Sequence, residues 1–267
     1  MSDTFKNDCK MFQIDLTGKT VIITGCNSGI GLGIAHQMAK AGASISGCAT
    51  ANNDKNLIDE IKKYDVDVLY TSCDVTKDND LKSLVDATIK KFGRIDVLVS
   101  NAGKNMFYGT EKATTKEWDK NIELNLASHW KLAQLCKPHL EKNNGIIIIM
   151  TSNHAFRSIP GCFPYNVTKT ALTGLVRSLA IEWGPAIRTV GIAPGFIDTP
   201  GNQKWFDSFD DAAAEKKRTI DLHPVKRLGT VDEIGGWCVF LASEYAAFAS
   251  GTTYLIDGGR SALMQDS

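Results

Sequence analysis

Tyr165 and Lys169 stand four residues apart in the run Tyr165-Asn166-Val167-Thr168-Lys169. On a helix, residues so spaced share a face. A phenol has an ordinary pKa of about 10, too high for easy proton exchange near neutrality. An ammonium on the same face would stabilise the phenolate and lower that value. The pair would then form an acid–base centre. Alone, the spacing is met as well by two solvated side chains on a helix surface. Ser152 shifts the weighing. It follows the apolar run Ile146-Ile147-Ile148-Ile149-Met150. The carboxyl end of such a strand is where open α/β sheets place ligands. A serine hydroxyl there would bond a substrate oxygen.

A second group of residues suits a phosphate. Thr24-Gly25-Cys26-Asn27-Ser28-Gly29-Ile30-Gly31 joins a strand to a helix. Glycines let the backbone approach a pyrophosphate closely, and the amides of a helix N-terminus face it. The spacing is G-x3-G-x-G, and an ordinary strand–helix turn is the plain alternative. In a dinucleotide fold an acidic residue about 20 positions on binds the ribose 2′-hydroxyl. Here the second strand ends in Ala49 and Thr50, with neither a carboxylate nor an arginine. Without a carboxylate to repel a 2′-phosphate, NADP is favoured over NAD, with Thr50, Asn52 and Lys55 within its reach.

These groups need a frame, and the chain supplies one. Apolar β-branched runs at 20–23, 43–46, 66–70, 95–100, 146–151, 189–192 and 253–256 read as strands. Helical patterns at 30–40, 55–64, 81–92, 118–140, 165–183 and 231–242 separate them. The strand runs do not alternate with polar residues, as expected of strands covered on both faces. Strand–helix alternation with short connections predicts an α/β fold. It is a single-domain Rossmann-type doubly wound parallel sheet of about seven strands with helices on both faces. The domain is expected over 14–267, after an N-terminal tail at 1–13. The stretch 198–224, with Trp205, Phe206 and Phe209, is long for a connection. It reads as a helical insert or a lid, and long loops of this kind are more often functional than decorative.

Composition narrows the partners. Lysine plus arginine and aspartate plus glutamate each number 30. Zero formal charge gives no electrostatic reason to expect nucleic acid or an anionic membrane. No apolar run approaches a bilayer span. The polar N-terminus reads as neither a signal nor a transit peptide, so a cytoplasmic location is expected. The 7 cysteines show no CxxC spacing. They read as small buried hydrophobes in a reducing compartment, rather than as a disulfide framework or a zinc site. No compact ligand set for a metal stands out.

With these motifs in order, the sequence resembles the short-chain dehydrogenase/reductase family along nearly its whole length. The turn from Thr24 to Gly31 resembles the family's TGxxxGxG cofactor loop. Within it Gly25, Asn27, Ser28, Gly29, Ile30 and Gly31 would hold the cofactor. Asp74-Val75 resembles the adenine-contacting pair after the third strand, and Asn101-Ala102-Gly103 the NAG motif after the fourth. Asn125 falls at the catalytic asparagine, and Ser152, Tyr165 and Lys169 complete the tetrad. Pro194-Gly195, Ile197 and Thr199 resemble the segment beside the nicotinamide. The resemblance implies an enzyme moving a hydride between NAD(P)(H) and an alcohol or carbonyl, with no metal. Ser152 would position the substrate oxygen, Tyr165 exchange its proton, Lys169 bind the nicotinamide ribose, and Asn125 hold a relay water. It also implies a homotetramer or homodimer, with the helices at 118–140 and 165–183 as shared faces.

The substrate is a small molecule lined by fewer signals. Lys104, Asn105, His154, Arg157 and Trp205 are the candidate contacts, the alternative for each being solvation or local packing. The segment from Pro194 through the tail Asp257-Gly258-Gly259-Arg260-Ser261-Ala262-Leu263 resembles the sugar 1-dehydrogenase branch, which oxidises aldoses such as L-fucose. Gly47-Cys48-Ala49-Thr50 instead resembles 3-oxoacyl-carrier-protein reductases. The polar neighbours of Ser152 favour a sugar or polyol. A non-catalytic nucleotide-binding regulator is the alternative of another class; the complete tetrad argues against it.

Overall fold

The computed structural model describes residues 13–52 and 54–263, so all but the last residue of the expected tail lies outside the described residues. Seven strands form one sheet: β1 (Thr20–Thr24), β2 (Ser44–Ala49), β3 (Val68–Ser72), β4 (Val97–Ser100), β5 (Ile146–Met150), β6 (Arg188–Pro194) and β7 (Thr253–Ile256). Their order is β3-β2-β1-β4-β5-β6-β7, and every pair is parallel. The helices are α1 (Gly29–Lys40), α2 (Lys55–Lys62), α3 (Asp78–Phe92), α4 (Thr115–Ile122), α5 (Ser128–Lys142), α6 (Tyr165–Trp183), α7 (Pro200–Phe206), α8 (Ala212–Asp221) and α9 (Val231–Ala242).

The unbroken apolar strands are explained by two cores. Successive strand residues point to opposite faces. Ile146, Ile148 and Met150 of β5 pack with Ile34 and Met38 of α1 and with Ile234 and Leu241 of α9. Ile147 and Ile149 pack with Leu132 and Cys136 of α5 and Leu172 and Val176 of α6. Buried Asp96 ties the lower ends of β1 and β4 together. Its carboxylate accepts the Thr20 amide at 2.9 Å and both Arg94 nitrogens at 2.8 and 2.7 Å. β1 pairs with β2 on one side and β4 on the other, so the strand order reverses between β1 and β4. A ligand crevice opens at such a switch point.

Two expectations are refined. The single helix expected over 118–140 is α4 and α5 joined by a π-helical turn, Glu123–Ala127. Asn125 lies in that turn and is buried. The stretch 198–224 is an insert of two short helices. Thr199 caps α7, with Pro200 at its first position, and Asp211 caps α8. The six described cysteines are free and buried, as expected of small hydrophobes; Cys9 lies outside the described residues.

Helices α1 and α9 touch through glycine. A β-carbon on Gly33 would stand 2.5 Å from Val231 Cβ and 2.8 Å from its carbonyl carbon. By contrast, Gly174 in α6 has nothing within 4 Å of that position. Gly33→Ala therefore forces the helices apart and lowers stability by about 1–3 kcal/mol, the usual range for overpacking. Gly174→Ala raises it by about 0.5–1 kcal/mol, because alanine loses less backbone freedom on helix formation. Urea unfolding of both variants checks the pair, and equal midpoints would count against this packing.

Candidate active site

Helix α6 begins at Tyr165, which puts Lys169 one turn further along the same face. Both side chains are buried, 7% and 3% exposed. Lys169 Nζ donates to the Met150 carbonyl at 2.9 Å and lies 5.6 Å from the centre of the Tyr165 ring. Ser152 leaves β5 just beyond Met150 and caps a single 3₁₀ turn, Asn153–Ala155. Its hydroxyl hydrogen-bonds Tyr165, accepts the His154 amide at 3.2 Å and donates to Asn153 Oδ1 at 3.3 Å. The π turn brings Asn125 in from the side. Its Oδ1 accepts the Lys104 amide at 2.9 Å and its Nδ2 donates to the Lys104 carbonyl at 3.0 Å. Nδ2 also reaches Asn121 Oδ1, which in turn accepts the Thr168 hydroxyl at 3.0 Å. A β-carbon on Gly103 would stand 2.8 Å from Asn125 Oδ1 and 3.5 Å from Lys169 Nζ. A side chain there would press on the Asn125 amide oxygen, while Lys169 stands at ordinary contact distance.

The electrostatics differ from the sequence expectation that Lys169 lowers the Tyr165 pKa. Burial dominates both groups. It pushes the Tyr165 phenol up to about 12, against a smaller lowering from its bond to Ser152. It pulls the Lys169 ammonium down to about 7. A low-dielectric site penalises each charged form separately. In this structure the pair therefore lies closer to a neutral phenol and a neutral amine than to a phenolate–ammonium ion pair. His129, also buried, is pulled down to about 3, first by desolvation and then by the charge of Lys169.

The residues expected to hold the cofactor gather at the switch point. Gly25 and Gly29 have φ of +65° and +53°, a conformation open to glycine. A β-carbon on Gly31 would stand 2.0 Å from the Gly25 carbonyl oxygen. No side chain caps the first amides of α1, and its first turn carries no acid. Those amides are left as an anion cradle beside exposed Asn27 and Ser28. Asn101 braces the cradle: its Nδ2 donates to the Thr24 carbonyl at 2.8 Å, and the Asn101 and Ala102 amides both bond Thr24 Oγ1 at 2.9 Å. Thr199 comes to the same place, its methyl 3.4 Å from where a β-carbon on Gly29 would sit. Pro194 ends β6, Gly195 lies against Asp257, and buried Ile197 bridges to Gly229. At the adenosine side, Val75 is buried, Asp74 accepts the Thr76 hydroxyl at 2.8 Å, and Thr50 is exposed at the end of β2. These residues fit a dinucleotide: a glycine cradle for the pyrophosphate, and a buried lysine and tyrosine beside it.

The substrate candidates divide. His154 lies against Tyr165, ring centres 6.0 Å apart and edge to face. Arg157 is exposed and turns to the neighbouring Phe156 carbonyl at 3.4 Å. Lys104 and Asn105 are exposed, and it is the Lys104 backbone, not its ammonium, that meets Asn125. Trp205 packs against Phe196, Phe206 and Phe209. Sequence reading missed Phe107, whose ring stands 5.3 Å from that of Tyr165. It also missed Cys162, 3.3 Å from His154 Nδ1, and Arg260, whose charge is felt at His154. Cys162 had a local signal in lying three residues before Tyr165, and Arg260 lay in the tail that resembles the sugar 1-dehydrogenase branch; Phe107 had none, because only the fold brings it near.

Known proteins match this arrangement. A family profile described as enoyl-(acyl carrier protein) reductase matches residues 25–261. Dehydrogenase/reductase SDR family member 4 of Caenorhabditis elegans is 35% identical over 95% of this chain and 97% of its own. L-fucose dehydrogenase of Bos taurus is 33% identical over 91% of this chain and 89% of its own. The structure of 7α-hydroxysteroid dehydrogenase complexed with NADH and 7-oxo glycochenodeoxycholic acid is 33% identical, covers 92% of this chain and 96% of its own, and superposes with a TM-score of 0.85. With a matching family profile over residues 25–261 and relatives 35% identical over nearly the whole length, the chain belongs to the short-chain dehydrogenase/reductase family of oxidoreductases.

Proposed function

We propose that the protein interconverts an alcohol and a carbonyl on a ring-bearing substrate, with NADP favoured over NAD and a sugar or polyol as the first candidate. The observation that carries this reading is the buried cluster of Ser152, Tyr165, Lys169 and Asn125. A protein that only bound a nucleotide would gain nothing from a phenol and an amine held out of water. When bound, the nicotinamide supplies and accepts the hydride. The chain's own residues do the rest. The α1 amides would hold the pyrophosphate, Lys169 the nicotinamide ribose, and Ile197 and Thr199 the carboxamide end. Ser152 orients the substrate oxygen, and Tyr165 holds the proton exchanged at that oxygen. Lys169, with a proton affinity near neutrality, takes up and releases a proton beside Asn125 without leaving a strong charge in the site.

The ring is supported by Phe107, 40% exposed and edge-on to Tyr165. The sugar is supported by the likeness to L-fucose dehydrogenase and by His154 at the rim. The steroid enzyme among the structural neighbours makes a larger ring the second candidate. NADP is supported by the β2 end, where Ala49 and Thr50 offer no carboxylate to a 2′-hydroxyl. Six free thiols suit a reducing compartment such as the cytoplasm. Exposed Trp130 on α5 and Ile181 on α6 suit a homotetramer or dimer built on those helices. Light scattering should give a multiple of the 29.1 kDa chain, and a clean monomer would remove the assembly.

Tyr165→Phe should lower turnover by about 10²–10⁴-fold, the usual contribution of a positioned acid–base group. Cofactor binding, followed by fluorescence, should be largely kept; undiminished turnover would sink the mechanism. Aldoses, polyols, cyclic ketones, steroids and 3-oxoacyl thioesters, each with both cofactors, define the substrate by nicotinamide absorbance. Turnover of thioesters alone would replace the ring reading.

Lys169 also makes a prediction about stability. Its folded pKa, about 7, is below its ordinary value of 10.5. A depressed pKa means the unfolded chain binds the proton more tightly. The native chain therefore loses stability as pH falls from about 10.5 towards 7, and the loss is complete below that. Lys169→Met removes this effect. The variant should be more stable than the native chain at pH 6 by on the order of a few kcal/mol, with the gain shrinking at pH 10. Denaturant unfolding at the two pH values checks it, and a gain independent of pH would contradict the burial argument.

A further inference from the structure

His154 Nδ1 and Cys162 Sγ are 3.3 Å apart, and either atom could be the donor. The acceptor strengths of the two atoms decide between them. Cys162 is buried, and the Asn166 amide donates to the Cys162 carbonyl at 3.3 Å rather than to the sulfur. A thiol has one proton to donate and a weak acceptor sulfur. Burial raises the Cys162 pKa, so the thiol keeps its proton. The imidazole nitrogen is the better acceptor of the two, so the S–H is directed at His154 Nδ1. Nδ1 thus accepts. In a neutral imidazole the other nitrogen then carries the hydrogen. His154 is neutral at neutral pH, because burial first, and the Arg260 charge second, hold its pKa below the ordinary value.

The remaining nitrogen has no partner among the described residues. Its ring is half-buried and stands edge-on to the rings of both Tyr165 and Phe107, at 6.0 and 5.8 Å between centres. Its backbone amide bonds the Ser152 hydroxyl. An unpaired N–H is therefore rooted one hydrogen bond from the group that orients the reacting oxygen.

We propose that His154, its tautomer fixed by the Cys162 thiol, offers an Nε2–H donor that selects substrates bearing a second oxygen on the carbon next to the reacting one: vicinal diols, α-hydroxy carbonyls, and sugars with a free hydroxyl beside the oxidised carbon. This rests on the reading of the site as an alcohol–carbonyl oxidoreductase. His154 is the specificity-determining residue and Cys162 its positioning residue. A site built to hydrogen-bond a substrate oxygen discriminates strongly against an analogue that lacks it, because the polar group is then left unpaired.

Matched pairs test the proposal: cyclohexane-1,2-diol against cyclohexanol, and galactose against 2-deoxygalactose, compared by kcat/KM. The native chain should prefer the vicinal member by at least about tenfold. His154→Leu should lose that preference, read as the ratio of the two kcat/KM values within the variant. Cys162→Ala should weaken it, and Cys162→Ser, which keeps a donor to Nδ1, should restore it. A spectrum of protein with 15N-labelled histidine should show His154 protonated at Nε2 in the native chain and in Cys162→Ser. Equal turnover within each pair, a preference that survives His154→Leu, or protonation at Nδ1 overturns the inference while leaving the oxidoreductase reading intact. If the native chain turns over no alcohol or carbonyl of the wider panel, both fall together.

Discussion

The site depends on a lysine held out of water. Lys169 enters from the face of α6 that packs on the sheet, and its single charged-group hydrogen bond goes to a backbone carbonyl at the end of β5. Removing an ammonium from water is unfavourable unless it is paired, and a group so placed relaxes by giving up its proton. That accounts for its depressed pKa. The same desolvation raises the phenol beside it, so the pair favours a neutral phenol beside a neutral amine over separated charge. A frame that could not exclude water here would return both groups to their ordinary values of 10.0 and 10.5, and neither would titrate near neutrality. The two apolar clusters on either side of β5 are what keep water out.

The arrangement around that pair is fixed by backbone more than by side-chain choice. Asn125 is held at both ends of its amide by one residue, Lys104, and the π turn aims it inward. Such turns, with one extra residue in the helical repeat, are common at functional sites, because they re-aim a side chain at the cost of local helix regularity. Gly103 then leaves a gap between Asn125 and Lys169. The cofactor cradle works alike: Asn101 and the Thr24 hydroxyl spend their hydrogen bonds on the turn itself. What faces the ligand is bare backbone amide. Motif residues expected at the cofactor are partly there to hold the turn still.

Much of this was legible in the chain. The strand at 253–256 and the helices at 165–183 and 231–242 are found at the expected limits, because each is bounded by a change of pattern. Strands β2 and β3 begin and end later than expected, since their ends carry glycine, alanine, threonine or serine, which no hydrophobic pattern marks. The π turn was not legible: Glu123–Ala127 continues the same helical periodicity as its neighbours, and the extra residue is imposed by packing. The direction of the Tyr165 shift was also misjudged. Spacing along a helix shows that an ammonium and a phenol are neighbours, but not how far water is excluded from both. Desolvation is a property of the whole fold.

The rim of the site shows why substrate choice is written less locally than chemistry. It is made by two loops sewn together across the crevice. Phe107 bridges to Pro164, the Tyr108 amide donates to the Phe163 carbonyl at 2.8 Å, and the Gly109 amide to the Gly161 carbonyl at 3.1 Å. These bonds are between backbone groups, so they constrain shape without constraining sequence. Side chains at Phe107, His154 and Cys162 are then free to vary while the loops stay joined. Ser152, Tyr165 and Lys169 have no such freedom, because each is fixed both by a hydrogen bond and by the need to stay dry. A chain of this kind keeps its reaction legible in spaced motifs and leaves its substrate to residues that only the assembled rim brings together.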